Sequence, residues 1–325
     1  MYSLAIDGGG TKTVAVIADH RGNIVAKTIV GRSNPTTLTQ QQFEQTIAKC
    51  FDHLRAENAE VFAKVSCCFA GLSGVIEMSY EKIFKDVVLR YYDDTLSIII
   101  ENDACIALFS GTLGEQGVVQ IAGTGSITYG LNQQRESARS GGWGYLFDDE
   151  GSGYDIAIQG LRSVVKAYDY RGAPTAITAK ILQHFDVESV EEIIDQVYSS
   201  EHPRTIIAPL SKYVEEAALA GDAIAQKILE NTCQSYLTAI RACEKQLIWS
   251  DNTPITVVLA GGIFTNFQLF ARMMEQLISV SHDNYQFIKP QLLPIGGAII
   301  GAFKQLNQPI DQQFIETFNK QYDER

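Results

Sequence analysis

The chain has 325 residues, of which 46% are hydrophobic and 20% are charged, and its formal net charge is −12 at pH 7. This composition indicates a globular protein, and the length allows two domains of roughly 100 to 200 residues each. The acidic balance argues against nucleic acids and anionic membranes, since both attract clustered Lys and Arg, and it favours a small-molecule ligand.

The beginning of the chain and its cysteines indicate the compartment. The first residues form no basic leader, and no apolar run reaches the roughly 18 to 20 residues of a membrane span. The six cysteines lie in periodic apolar segments without paired CxxC spacing, which favours reduced, buried thiols over metal ligands. We therefore expect a cytoplasmic protein with neither a membrane nor a nucleic acid as partner.

The first predicted element is a β-hairpin over residues 4–19, in which two apolar runs flank three glycines. Glycines at such a bend let backbone N–H groups close on an anion, and neighbouring hydroxyl and ammonium groups add donors. The turn is therefore predicted to bind phosphate, and an ordinary tight hairpin is the alternative. The predicted contacts are Gly9, Gly10, Thr11, Lys12 and Thr13.

Asp7 ends the first strand of this hairpin, beside the predicted phosphate. Because a carboxylate and a phosphate repel each other, the pair implies Mg²⁺ held by Asp7, directly or through water. A dinucleotide fingerprint is excluded because Thr13 stands where its third glycine would be. The Walker pattern fails because Thr11, not glycine, precedes Lys12.

A third strand is predicted at 24–30, followed by a polar loop at 31–37 that fits either a sugar-like ligand or a helix cap. A helix from about Thr39 precedes a buried strand at 65–70 and a second helix ending near Tyr92. The aliphatic run 96–100 predicts a strand covered on both faces. It ends just before Asp103, and the ends of such strands are where open α/β sheets place their chemistry.

Residues 118–131 repeat the opening pattern of strand, small hydroxyl-bearing turn and strand. The turn contains Gly123, Thr124 and Gly125, and it predicts a second phosphate-binding site. The similarity is too weak for a sequence repeat, but it predicts a second half of the molecule. A nucleotide would then lie between the two halves.

The glycine-rich stretch 141–154 contains Trp143 and three consecutive acids. The position of Asp148 before a predicted helix is explained by the helix dipole. For Asp149 and Glu150 we favour contact with a ligand, because the surrounding glycines let backbone approach it closely.

The region 175–248 is predicted to be helical with little visible chemistry. A strand at 255–259 leads into Gly261 and Gly262, where a flat ring or a ribose can lie against backbone. The last strands are predicted at 286–289 and 292–294, before a helix of small residues at 296–302.

Together these stretches resemble the sugar-kinase, actin and heat-shock-chaperone superfamily of two-domain ATPases. Asp7–Thr13 is similar to its first phosphate motif, 123–126 to its second, and 260–262 to its adenosine motif. The 141–144 stretch with 149–152 resembles the sugar-contacting loop of the N-acetylglucosamine kinase branch, within the BadF/BadG/BcrA/BcrD-type ATPases.

The resemblance implies an α/β fold of two ribonuclease H-like, actin-like domains, each a mixed sheet with flanking helices, and a ligand cleft between them. The expected domains are 1–105 with 309–325, and 106–308 with a helical insertion at about 170–250. Asp103 is the implied catalytic base. The implied sugar contacts are Asn34, Asp103, Gly142, Trp143 and Asp149, and the implied nucleotide contacts beyond the first turn are Gly123, Thr124, Gly125, Gly261 and Gly262.

The implied activity is transfer of the γ-phosphoryl group of ATP, with Mg²⁺, to the 6-hydroxyl of an N-acetylated amino sugar. N-acetylglucosamine, N-acetylmuramic acid, glucosamine and N-acetylmannosamine remain open as acceptors, as does the choice between monomer and homodimer. The main alternative is an iron–sulfur activator ATPase of an acyl-CoA dehydratase, which would need cysteines at a dimer interface. A sugar-sensing repressor and an actin-like or chaperone-like module are further alternatives.

Overall fold

A computed structural model describes residues 1–249, 253–281 and 283–324. The chain forms two compact units, residues 1–117 with 289–325 (unit 1) and residues 118–288 (unit 2). Each unit is built on one five-stranded sheet with flanking helices. The predicted fold class is thereby confirmed.

The strands and helices follow in chain order. The strands are β1 (Tyr2–Gly8), β2 (Lys12–Asp19), β3 (Ile24–Gly31), β4 (Val65–Leu72), β5 (Ser97–Glu101), β6 (Gly117–Ala122), β7 (Ser126–Leu131), β8 (Ser137–Gly141), β9 (Ile255–Ala260) and β10 (Tyr285–Ile288). The helices are α1 (Gln40–Glu57), α2 (Ala59–Phe62), α3 (Glu81–Val88), α4 (Asp103–Thr112), α5 (Gly153–Tyr168), α6 (Ile177–Phe185), α7 (Val190–Tyr198), α8 (Pro203–Ile207), α9 (Ser211–Leu219), α10 (Ala223–Glu244), α11 (Phe267–Ile278), α12 (Pro294–Gln305) and α13 (Gln312–Glu324).

The sheet of unit 1 has the order β3-β2-β1-β4-β5. β1 pairs antiparallel with β2 and parallel with β4, and β4 pairs parallel with β5. The edge strand β3 alternates between buried and more exposed residues, whereas the central strand β4 is buried along nearly its whole length, as its apolar run predicts. The carboxyl ends of β1, β4 and β5 therefore meet at one edge of the sheet, where Asp7 and the start of α4 lie.

The sheet of unit 2 has the order β10-β9-β6-β7-β8, which is the order of unit 1 read from the other end. β9 pairs parallel with β6 and β10, and β7 pairs antiparallel with β8. The β6–β7 turn thus occupies the topological position that the β1–β2 turn has in unit 1. This equivalence confirms the predicted second half.

The boundaries between the two units lie at 117/118 and 288/289, whereas the expected boundaries were 105/106 and 308/309. The reason is packing: α12 lies against α4 and β1, and both helices are therefore part of unit 1. The first sheet needs these two helices because β1 and β4 are covered by them. Residues 170–250 contain α6 to α10, which pack on the core of unit 2.

Three local expectations were wrong. β5 is an edge strand whose residues are half-buried, so it is not covered on both faces as its aliphatic composition suggests. Residues 292–294 form no strand, because Pro294 begins α12. The region 175–248, predicted to be helical, is interrupted by a 3-10 turn at Ala208–Leu210, since Pro209 cannot donate the backbone hydrogen bond of a continuous α-helix.

Candidate active site

The first glycine-rich turn lies between β1 and β2, and the backbone N–H of Gly9 closes it on the carbonyl of Lys12 at 3.1 Å. Gly10, Thr11 and Lys12 are exposed at its tip. A Cβ on Gly10 would meet no heavy atom within 4 Å, so the space above it is open. The turn therefore presents N–H, hydroxyl and ammonium donors outward, as a phosphate-binding turn requires.

Thr13 differs from the other predicted phosphate contacts. Its side chain is fully buried, and its hydroxyl donates to the carbonyl of Gly31 at 2.9 Å. This bond joins β2 to β3 inside the sheet. The Thr13 hydroxyl therefore stabilises the pairing of β2 with β3, and a contact of Thr13 with phosphate stays a prediction.

Asp7 and Asp103 lie close enough for their carboxylates to repel each other. Burial raises the pKa of Asp7 to about 6, with a further increase from Asp103 and a decrease from the Lys12 ammonium. Burial also raises the pKa of Asp103, against the hydrogen bond that it receives from the Ser73 hydroxyl. Perturbed acids that converge at a sheet edge are typical of catalytic sites.

Asn34 belongs to the same cluster in unit 1. Its amide Nδ2 donates to Ser73 Oγ at 3.2 Å, and its Oδ1 accepts from the backbone N–H of Thr36 at 2.9 Å. Asn34 is thus the N-cap of the 3-10 turn Pro35–Thr37, which was the alternative interpretation of this loop. The structure also brings Asn34 to Asp103 through Ser73, in a relay of polar side chains.

The donor set around Asp7 fits Mg²⁺. In the described part of the chain, no group of three or more His, Cys, Asp or Glu side chains could hold a metal. Mg²⁺ does not need such a group, because it is commonly bound by one or two carboxylates together with substrate phosphates and waters. Two neighbouring carboxylates with a raised pKa beside the first glycine-rich turn meet this requirement.

We expect the raised pKa of Asp7 to lower the stability of the metal-free protein at neutral pH. The folded state holds this proton up to about pH 6, whereas the unfolded state releases it near pH 4. Stability from this group is therefore present below pH 4 and is lost as the pH rises to 6, at a cost of about 2 to 3 kcal/mol. Asp7→Asn should remove this pH dependence.

The measurement is urea unfolding of wild type and Asp7→Asn between pH 4.5 and 8 in the presence of a chelator. Asp94→Asn, which changes an exposed carboxylate of the same unit, is the control. Above pH 6 the Asp7→Asn protein should gain stability relative to wild type, and the control should not. Equal pH slopes for Asp7→Asn and wild type would contradict the assignment.

In unit 2 the second glycine-rich turn and the 261–262 turn lie next to each other. The Gly123 N–H donates to the carbonyl of Gly125 at 2.9 Å, and Thr124 is exposed at the tip. Gly261 has a φ of +103°, and a Cβ there would stand 2.3 Å from the carbonyl oxygen of Ala122. Only glycine permits this approach, which brings Gly262 beside the end of β6.

The loop after β8 exposes aromatic side chains. Trp143 is 66% exposed, and the guanidinium of Arg139 stacks on its ring at 4.2 Å. Asp148 accepts a hydrogen bond from the Trp143 backbone N–H at 2.8 Å, so it shapes this loop, whereas the cap of α5 is Ser152. Gly142 precedes the tryptophan with a φ of +76°.

Asp149 is buried in the same loop, whereas Glu150 is exposed. The Asp149 carboxylate Oδ2 forms an ion pair with Arg204 Nη2 at 3.0 Å. The Arg204 guanidinium also donates to the Thr124 carbonyl at 3.0 Å. Asp149 is therefore joined to the second glycine-rich turn through one side chain.

Sequence reasoning missed Ser73 and Arg204. Ser73 follows β4 at the same sheet edge as Asp103, so its position after an apolar strand could have indicated it. Arg204 lies in the helical region, where no motif marks it. Its role follows only from a contact across 55 residues of sequence.

Comparisons with known proteins identify the family of the whole chain. The sequence model described as the BadF/BadG/BcrA/BcrD ATPase family matches residues 4–302. An N-acetylmuramic acid/N-acetylglucosamine kinase from Clostridium acetobutylicum is 29% identical over 93% of this chain and 98% of its own. An N-acetyl-D-glucosamine kinase from Dictyostelium discoideum is 30% identical over 92% of this chain and 97% of its own.

A solved structure supports the fold. The crystal structure of a Chromobacterium violaceum protein, provisionally named an N-acetylglucosamine kinase, superposes with a TM-score of 0.65. The two share 22% identity, and the superposition covers 93% of this chain and 98% of the other. At this identity the likeness concerns the fold alone.

Two further findings bear on the alternatives. All six cysteines are buried and none forms a disulfide, including Cys67 and Cys68 in β4. Burial raises the pKa of Cys67 to about 11, so this thiol is a poor cluster ligand. Among the described residues, no helix has the length and apolarity needed to cross a bilayer.

Proposed function

Because the chain belongs to the BadF/BadG/BcrA/BcrD ATPase family, we propose that it is an ATP-dependent kinase of N-acetylated amino sugars. It transfers the γ-phosphoryl group of ATP to the 6-hydroxyl of N-acetylglucosamine or N-acetylmuramic acid. The two relatives at 29% and 30% identity bear these sugars in their names. Buried, reduced thiols fit a cytoplasmic location for this reaction.

The observation that carries the proposal is the placement of Asp103. It begins α4 at the edge of the sheet, it is hydrogen-bonded by Ser73, and it lies beside Asp7. A general base needs a pKa raised toward the working pH, and burial supplies this. In the proposed reaction Asp103 takes the proton of the 6-hydroxyl while the sugar oxygen bonds to the γ-phosphorus and ADP leaves.

The other predicted residues receive roles around this base. The phosphoryl transition state is loose, so alignment and neutralisation of charge contribute most of the rate. Mg²⁺, when bound near Asp7, supplies positive charge at the phosphates. We assign the sugar to Asn34, Gly142, Trp143 and Asp149, and the nucleotide to Gly9, Gly10, Thr11, Lys12, Gly123, Thr124, Gly125, Gly261 and Gly262.

The test is coupled ADP release over N-acetylglucosamine, N-acetylmuramic acid, glucosamine and N-acetylmannosamine. We expect turnover with an N-acetylated sugar to exceed turnover with glucosamine, since buried amide-binding groups left unpaired cost affinity. The matched control is 6-deoxy-N-acetylglucosamine, which lacks the acceptor hydroxyl and should release no ADP above background. ATP hydrolysis of equal rate without any sugar would contradict a kinase.

A further inference from the structure

Arg204 joins three segments of unit 2 that are distant in sequence. Its Nη2 donates to Asp149 Oδ2 and to the Thr124 carbonyl, each at 3.0 Å. Its guanidinium also lies over the ring of Tyr145, 4.7 Å from the centroid. Because Arg204 is on α8, this one side chain connects the helical region to the acid-containing loop and to the second glycine-rich turn.

The two segments that Arg204 bridges are already in close contact. The Gly153 N–H donates to the carbonyl of Gly123 at 2.7 Å. A Cβ on Gly125 would stand 3.0 Å from Asp149 Oδ2 and 3.2 Å from Arg204 Nη2. The Asp149 carboxylate and the Arg204 guanidinium therefore both lie directly against the turn at Gly125.

One N–H donor of the Arg204 side chain is not used in this arrangement. Its Nε is buried, and within the described residues it has no hydrogen-bond partner. An unsatisfied buried N–H is unfavourable, and an arginine bound to a carboxylate commonly uses two parallel N–H donors. A rotation that brings Nε to the second carboxylate oxygen would satisfy this N–H and would release the Thr124 carbonyl. The observed arrangement holds the Thr124 carbonyl, and this second arrangement would free it, so the two would favour different geometries of the turn.

We propose that Arg204 is a positioning residue that couples binding of the sugar at Asp149 to the geometry of the nucleotide-binding turn at Thr124. This inference rests on the proposed function, which assigns Asp149 to the sugar and Thr124 to the nucleotide. A sugar hydroxyl that donates to Asp149 competes with Arg204 for the carboxylate oxygens. It thereby biases Arg204 between its two arrangements, and the turn responds. Coupling between two sites is reciprocal, so nucleotide binding must alter sugar affinity by the same factor.

The experiment measures the dissociation constant of N-acetylglucosamine by calorimetry, with and without a non-hydrolysable ATP analogue and Mg²⁺. In wild type we expect the two constants to differ by roughly 10-fold, within the usual range of coupling between sites. In Arg204→Gln the difference should shrink to about twofold or less. Arg204→Lys, which keeps the charge but lacks the planar fork, should fall between these values.

The control is Arg171→Gln, which removes an exposed arginine of the same unit that pairs with Asp169 at 2.6 Å. It should retain the wild-type ratio. If Arg204→Gln does not fold, Tyr145→Leu removes the ring beneath the guanidinium and should also reduce the ratio.

The ratio of the two constants separates a positioning role from a merely structural one. If the ion pair is merely structural, Arg204→Gln should raise the dissociation constant of the sugar by the same factor with and without the ATP analogue. The ratio of the two constants would then be unchanged, and this result would overturn the inference. So would a wild type that phosphorylates the sugar but shows no coupling. A wild type that releases no ADP with any amino sugar would instead refute the proposed function itself.

Discussion

Asp103→Asn is expected to lower the turnover number by about 10²- to 10⁴-fold, the range for loss of a positioned acid or base. Asparagine keeps the size of the side chain and can still bond to Ser73, so the Michaelis constant for the sugar should change little. Such a pattern, with turnover reduced and binding retained, identifies an interaction made in the transition state. The measurement is steady-state ADP release at saturating sugar and ATP.

The pH profile supplies a second readout for the same residue. Asp103 must be ionised to accept the hydroxyl proton, and burial raises its pKa. The acid limb of wild-type turnover should therefore lie above the ordinary range of aspartate, and Asp103→Asn should lack this limb. Asp86→Asn, which changes an exposed carboxylate on α3, is the control. Wild-type turnover in Asp103→Asn would refute the role of the base.

The hairpin at the start of each sheet could be predicted because its signal is local. The first hairpin, residues 4–19, contains all of its signals within 16 residues: two apolar runs, a glycine-rich bend and an acid at the strand end. β4 and α1 were found for the same reason, since their apolar patterns are continuous along the chain. The wrong expectation for β5 shows the limit of this reasoning, because composition does not reveal that a strand lies at a sheet edge.

The polar contacts of the candidate site could not be predicted in this way. Asn34 reaches Ser73 across 39 residues, and Arg204 reaches Asp149 across 55. Such pairs are fixed by the topology of the sheet and by helix packing, which no local pattern contains. The buried hydroxyl of Thr13 is a similar case, since a threonine beside a phosphate-binding turn has the same sequence signal whether it faces a ligand or the sheet.

Gly297→Ala is expected to destabilise the protein by at least about 3 kcal/mol, the upper end for overpacking a core. Gly297 lies in α12 where this helix crosses α4, and a Cβ there would stand 1.9 Å from the Ile106 carbonyl oxygen and 2.7 Å from the Ser110 N–H nitrogen. Both neighbours are backbone atoms, so no rotamer change can relieve the clash. The helices would have to separate.

The sign of this effect decides between two physical arguments. Helix propensity alone predicts that alanine stabilises a helix interior by about 1 kcal/mol relative to glycine. The close approach of α12 and α4 predicts the opposite sign and a larger magnitude.

Urea unfolding of Gly297→Ala, with Gly31→Ala as control, measures the effect. A Cβ on Gly31 meets no heavy atom within 4 Å, so the control should change stability by less than about 1 kcal/mol. Activity supplies a further test, because α4 begins with Asp103 and a displaced α4 moves the carboxylate away from Asp7. A Gly297→Ala protein as stable and as active as wild type would contradict this prediction, because it would show that α4 and α12 can separate without cost. The crossing of these two helices would then not explain the position of Asp103.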